Sequence, residues 1–224
     1  MNSMPGSAIQ FVPKAVEGSP LMKKGGFDVF EGLPDRKTCA RLLAEARHCL
    51  ATAKPSDVSV SDNEEVRGGR PARRFLSAIG GAVQEGLYQD RGVIHFLETI
   101  CNVPILPTGG RGTYTYYARS GDHLALHRDI ETCDVALITC LLDRHNPGSS
   151  GGVTRLYPQR QTEPLSRIRA TPGFGSINVR VLAGQTMVMF GGVVPHAIVP
   201  LEAGEVRVVS VLCYHAYSMV FSPP

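Results

Sequence analysis

Apolar positions recur along this chain in two rhythms, and the change from one to the other comes near Pro104. Between Asp35 and Ala53, Cys39, Leu42, Leu43, Ala46 and Leu50 return at helical spacing behind a Pro34-Asp35 start signal. This predicts an amphipathic helix with Arg41, Glu45 and Arg47 mainly in solvent. A second helix is expected from Ala82 to Cys101, with Val83, Leu87, Ile94, Phe96, Leu97 and Ile100 as its apolar positions; Gly86 and Gly92 weaken its middle. Between the two, Pro55 to Arg74 is polar and rich in Arg and Gly, and reads as a mobile surface loop.

Beyond Pro104 the apolar runs shorten to strand length and are separated by Gly, Pro and Asp turns. Eight strands are expected: 113–118, 124–129, 135–142, 154–157, 177–182, 186–190, 197–200 and 206–214. That number and spacing favour a sandwich or jelly roll over a βαβ fold. The expected fold is mostly β with N-terminal helices: a double-stranded β-helix, or jelly roll, buttressed by two or more helices. It is read as one domain, with a loose arm over 1–25, a helical buttress over 26–103 and a jelly-roll core over 104–217.

Composition narrows this reading little. The 224 residues, 43% hydrophobic and 19% charged, suit one well-packed domain. A net charge of +3 is too small to argue for nucleic acid or a membrane surface. No apolar run reaches the length of a membrane-spanning helix, and the first 25 residues lack a signal-peptide pattern. The six cysteines lie mostly in apolar runs without a CxxC pair, which predicts buried free thiols and a cytoplasmic location. All five lysines lie at or before Lys54, so every later cation is arginine or histidine.

Candidate chemistry centres on His127-Arg128-Asp129. Residues two apart on a strand share a face, so His127 and Asp129 can converge, and a histidine from a distant strand would complete a 2-His-1-carboxylate facial triad. His-Arg-Asp also opens the protein-kinase catalytic loop, but Asp134 stands where that loop needs Asn, and no glycine-rich loop or Asp-Phe-Gly is present. A zinc hydrolase has no His-Glu-x-x-His to rest on. On an extended strand His123 would share the face of His127 and Asp129.

The downstream sequence gives the triplet its context. Tyr114-Thr-Tyr-Tyr117-Ala-Arg-Ser-Gly121, Leu126-His-Arg-Asp129, Ser150-Gly-Gly-Val-Thr154, Gly184-Gln-Thr-Met-Val-Met-Phe190 with Pro195-His196, and Gly204-Glu-Val-Arg207 follow one another in order. Over 109–217 the chain resembles the Fe(II)/2-oxoglutarate-dependent oxygenases. The resemblance implies that His127, Asp129 and His196 bind Fe(II). It also implies that Arg207 holds the far carboxylate of the co-substrate 2-oxoglutarate, and that O2 is the oxidant. Some members pair that arginine with a serine two residues on; here position 209 is valine, and Ser210 should face the other side of the sheet. Tyr114, Tyr116 or Tyr117 is then expected to assist the carboxylate, with core packing as the alternative for each. Because Asp129 is present, the resemblance points to hydroxylation, desaturation or ring closure rather than chlorination.

For substrate contacts the expected loops are 62–74, 119–123, 144–150 and 159–174. Arg67, Arg74 and Arg128 are candidates for an anionic group, with solvated surface charge as the bland alternative, and Asp122 and His123 are further candidates. A small metabolite or natural-product intermediate is the expected partner, without nucleic acid or membrane. Two other readings stay open: an iron oxidase of the same fold that needs no 2-oxoglutarate, and a jelly-roll binding module without redox chemistry.

Overall fold

The computed structural model describes residues 14–60, 67 and 69–216. Twelve strands form one curled, wholly antiparallel sheet: β1 (Phe27–Glu31), β2 (Lys54–Val58), β3 (Arg73–Ile79), β4 (Ile105–Pro107), β5 (Thr113–Tyr117), β6 (His123–His127), β7 (Val135–Arg144), β8 (Thr154–Leu156), β9 (Ile177–Val179), β10 (Gln185–Met189), β11 (His196–Ile198) and β12 (Val206–Ala216). Helices are α1 (Pro20–Lys23), α2 (Arg36–Cys49), α3 (Ala82–Tyr88), α4 (Arg91–Cys101) and α5 (Leu165–Ala170). Strand order is β1-β10-β7-β12-β5-β3-β6-β11-β8-β9, with β2 on β3 and β4 on β12. β3 pairs with β5 through 76–79 and with β6 through 73–74, so it carries the sheet from one leaf of a jelly roll to the other.

All eight expected strands form, most with ends moved by one or two residues, and the helix after Pro34 forms as α2 followed by a 3-10 turn over Leu50–Thr52. The second expected helix is two. Asp90 breaks it by accepting from the Val93 N–H at 2.9 Å, which starts α4 afresh. The span expected as a helical buttress also supplies β1, β2 and β3 to the sheet, so the loop expected over 55–74 begins and ends in strand. Of that loop, residues 61–66 and 68 lie outside the described residues, as do 1–13 of the expected arm and Tyr217 at the end of the expected core. The rest of the arm is ordered: Val16 and Leu21 are buried, and Ser19 caps α1 by accepting from the Met22 N–H.

The two faces of β12 separate two interiors. Val208, Leu212 and Tyr214 pack with Leu42 and Ala46 of α2, Leu87 and Tyr88 of α3 and Leu97 of α4 in the main apolar core. Arg207, Val209, Val211 and Cys213, on the opposite face, line a cavity between the leaves.

Glu45, expected in solvent, instead joins α2 to α3. Gly81 precedes α3 and has no side chain to cap it, so the Glu45 carboxylate accepts from the N–H groups of Gly81, Val83 and Gln84 at 3.2, 2.7 and 2.9 Å. The Tyr114 hydroxyl donates to it as well, at 2.7 Å. Burial alone would raise this carboxyl, but the four hydrogen bonds outweigh it and hold the group below its usual 4.5. Glu45→Ala is expected to lower unfolding free energy by about 1–3 kcal/mol in urea titrations. Because the folded state depresses the pKa, the difference between wild type and variant should be full above the unfolded value and shrink as pH falls through the folded one.

Candidate metal centre

His127 and His196 face each other because β6 and β11 pair antiparallel with these residues in register. The next registered pair is Leu124 with Ile198, three steps along β6 against two along β11. This one-residue bulge shifts the alternation of β6. Leu124, and not His123, therefore lines the cavity beside His127. The expectation that His123 shares the face of the triplet fails for this reason; its Nδ1–H donates to the Gly121 carbonyl at 2.9 Å. Asp129 lies just past β6, fixed by its N–H donating to the Gly191 carbonyl at 2.9 Å.

Asp129 Oδ1 stands 3.3 Å from His127 Nε2 and 3.6 Å from His196 Nε2, and the three donor atoms lie within 4.8 Å of one another. Both imidazoles have one orientation in common. Each Nδ1 contacts a carbonyl, of Ala125 and Val194 respectively, at 2.9 Å. A carbonyl only accepts, so each Nδ1 carries the hydrogen and each Nε2 is directed inward. Burial pushes His196 down to about 4, which leaves the imidazole neutral at ordinary pH. Burial would raise the Asp129 carboxyl, but the neighbouring His196 and His127 rings hold it below the usual carboxylate range. Cis donors on an octahedral ion with bonds of roughly 2.1 Å stand about 3 Å apart. The two separations from Asp129 are close to that, and two imidazoles with one carboxylate are the donor set of a facial triad.

Two glycines make room for this arrangement. A Cβ on Gly191 would lie 1.8 Å from Asp129 Oδ2, and one on Gly192 would lie 2.2 Å from Arg67 Cζ. Arg67, a substrate candidate in sequence, is consumed by the chain after Asp129. It donates to the carbonyls of Asp129, Ile130 and Cys133 and pairs with Asp134 at 2.8 Å.

Arg207 lines the same cavity and is 2% exposed, so it is no solvent-face residue. Its Nη1 donates to Val181 O at 2.9 Å and to Asp143 Oδ1 at 3.2 Å, while its Nε is buried with no hydrogen-bond partner among the described residues. Such an orphaned donor on a fixed cation fits a carboxylate guest. Of the three tyrosines only Tyr117 lies here, directly opposite Arg207 on β5. Tyr114 and Tyr116 point to the other face of β5, where their hydroxyls donate to Glu45 and to the Ala46 carbonyl. Strand parity thus turns both away from the cavity that holds Arg207. Ser210 faces that side too, accepting from Gln84 at 2.7 Å.

The other substrate candidates are structural ties. Asp122, 3% exposed, accepts from the N–H groups of Ala118 and Arg119 and from Arg74, whose guanidinium also reaches the Ser120 carbonyl. Arg128, 2% exposed, donates to the carbonyls of Gln161 and Glu163. Among described residues, none from the four expected substrate loops lines the cavity. Sequence reasoning also missed a disulfide: Cys133 and Cys213, 80 residues apart, are bonded with Cα atoms 4.8 Å apart. β7 pairing with β12 sets Cys213 opposite Ala136 and brings the two together. Only Cys39, Cys49, Cys101 and Cys140 are free, so the inference from thiols to a reducing compartment loses its footing. No helix among the described residues is long and apolar enough to cross a membrane.

Gly191→Ala should push the Asp129 carboxylate out of the centre while leaving the fold intact. The variant is expected to keep its circular dichroism and to bind Fe(II) about tenfold or more weakly in anaerobic titration. Undiminished affinity would mean that Asp129 is not a ligand.

No family model and no curated protein matches the chain. Solved structures do. The non-heme alpha ketoglutarate dependent epimerase SnoN from nogalamycin biosynthesis superposes with a TM-score of 0.66 at 16% identity, over 92% of this chain and 82% of that one. HygX from Streptomyces hygroscopicus, solved with nickel and 2-oxoglutarate bound, gives 0.62 at 14% identity, over 88% and 85%. A prolyl-4-hydroxylase from Pseudomonas putida gives 0.57 at 15%, over 88% and 96%. This chain therefore has the jelly-roll fold of the iron- and 2-oxoglutarate-dependent oxygenases.

Proposed function

We propose that this protein is an Fe(II)- and 2-oxoglutarate-dependent dioxygenase acting on a small metabolite or natural-product intermediate. The observation that carries the reading is one cavity holding both the three donor atoms of His127, Asp129 and His196 and the buried guanidinium of Arg207. Its volume of about 150 Å3 is many times the roughly 10–15 Å3 that one water needs, so it can admit an organic co-substrate. SnoN and HygX, similar in fold, are an alpha ketoglutarate dependent epimerase and a protein solved with 2-oxoglutarate bound, which supports the same co-substrate here.

In this reading His127, Asp129 and His196 hold the iron. When bound, iron supplies O2 activation coupled to decarboxylation of 2-oxoglutarate to succinate and CO2. The chain's own work is positional. The Ala125 and Val194 carbonyls fix the two imidazoles, and Gly191 leaves space for Asp129. Asp143 and the Val181 carbonyl hold Arg207 so that its unpartnered edge can take the far carboxylate, with Tyr117 alongside. The apolar wall of Leu124, Ile138, Ile198 and Val209 keeps water from the reacting carbon. Hydroxylation, desaturation and ring closure of a C–H substrate are all compatible with this arrangement.

Anaerobic addition of Fe(II) and then 2-oxoglutarate to the purified protein should produce a visible metal-to-ligand charge-transfer band. Iron binding without that band would favour the oxidase reading, and no tight iron binding would sink both. His196→Ala should abolish succinate formation. Arg207→Ala should raise the 2-oxoglutarate requirement by about two orders of magnitude, seen as KM more than as kcat; an unchanged requirement would remove Arg207 from the co-substrate site.

A further inference from the structure

The cavity wall is graded along β12. Arg207, Val209, Val211 and Cys213 follow one another on one face, and the first and last lie about 20 Å apart at the rise of a strand. Across β5, Tyr117 stands opposite Arg207, Thr115 opposite Val209 and Thr113 opposite Val211. Across β7, Ile138 stands opposite Val211 and Ala136 opposite Cys213. The Arg207 end is therefore charged, and the Cys213 end is apolar with a threonine hydroxyl as its polar group.

Among the described lining residues the only ionisable side chains besides the phenol of Tyr117 and the disulfide-bonded Cys213 are His127, Asp129, His196 and Arg207. All four are committed in the function proposed above, on which this inference rests. The charges there also balance: a divalent iron and Arg207 offset Asp129 and the two carboxylates of 2-oxoglutarate. A further charge brought into the cavity would have no counter-charge among the described lining residues, and an unpaired buried charge is costly. Arg67, Arg74, Arg128 and Asp122, which could have supplied one, are tied to backbone or to each other.

We infer that the substrate is an uncharged, largely apolar small molecule that lies against Val211, Ile138 and Ala136 and is oriented by a hydrogen bond at Thr113. Such a molecule is recognised by area and shape with one polar contact, rather than by an ion pair.

A matched set of probes tests this: 2-naphthalenemethanol, 2-naphthoate and 2-naphthylmethylammonium, which share a ring system and differ in charge. The chain has no tryptophan, so naphthalene fluorescence anisotropy can be read with little protein background. The measurement uses intact protein loaded with Zn(II) and saturating 2-oxoglutarate, which also keeps naphthoate from the co-substrate position. The alcohol is expected to bind and both ions to bind about tenfold or more weakly. Val211→Asp should weaken the alcohol by a similar factor and favour the ammonium probe. If that variant does not fold, the ranking on wild type decides alone. Ions that bind as well as the alcohol, or an alcohol that does not bind, overturn the inference. The co-substrate reading is judged separately by the iron charge-transfer band, so a band with no preference for the neutral probe refutes only the substrate class.

Discussion

Antiparallel pairing of β6 with β11 is the constraint on which the centre depends. It sets His127 opposite His196 at cross-strand distance, with the ring centroids 4.2 Å apart. Asp129 joins them only because the chain leaves β6 and is caught at once by the Gly191 carbonyl and by Arg67. The pair of glycines at 191 and 192 is the complement of that capture, since any side chain there would occupy the space of the carboxylate or the guanidinium. Sheet register, bulge, turn and glycine pair thus act as one unit.

The far end of the cavity is organised by charge. Asp143, its side chain 3% exposed, accepts from Arg207 and lies within 3.5 Å of Arg180, while Arg180 also donates to the carbonyls of Ser149 and Gly151. Two guanidinium groups on one carboxylate leave a cationic excess there. Removing one member of a buried pair generally costs about 3–5 kcal/mol because its partner is stranded. The cluster therefore stabilises the Gly-Gly turn and orients Arg207 together, and neither role can be changed without the other.

Much of this was legible in the sequence. The eight core strands and α2 follow from apolar spacing, and the His127/Asp129/His196 set and Arg207 from the family resemblance. What was not legible depended on parity or long-range contact. A single bulge in β6 exchanged His123 for Leu124 in the cavity, and the register of β5 turned Tyr114 and Tyr116 towards the helices. Arg67, Arg74, Asp122 and Arg128 looked available because a charged residue in a polar stretch carries no sign of the carbonyls it will meet in three dimensions. Glu45 shows the same limit: helical spacing placed it in solvent, yet it caps a helix that starts 37 residues later.

The Cys133–Cys213 bond links the turn that follows Asp129 to the strand that begins beside Arg207. Arg67 already holds the same turn through three carbonyls and Asp134. A turn held by a covalent bond and a guanidinium clamp is a fixed hoop and not a hinged gate. The carboxylate of Asp129 is thus carried on a segment moored at both ends, by a covalent tie to β12 and by an arginine that reaches across from before β3.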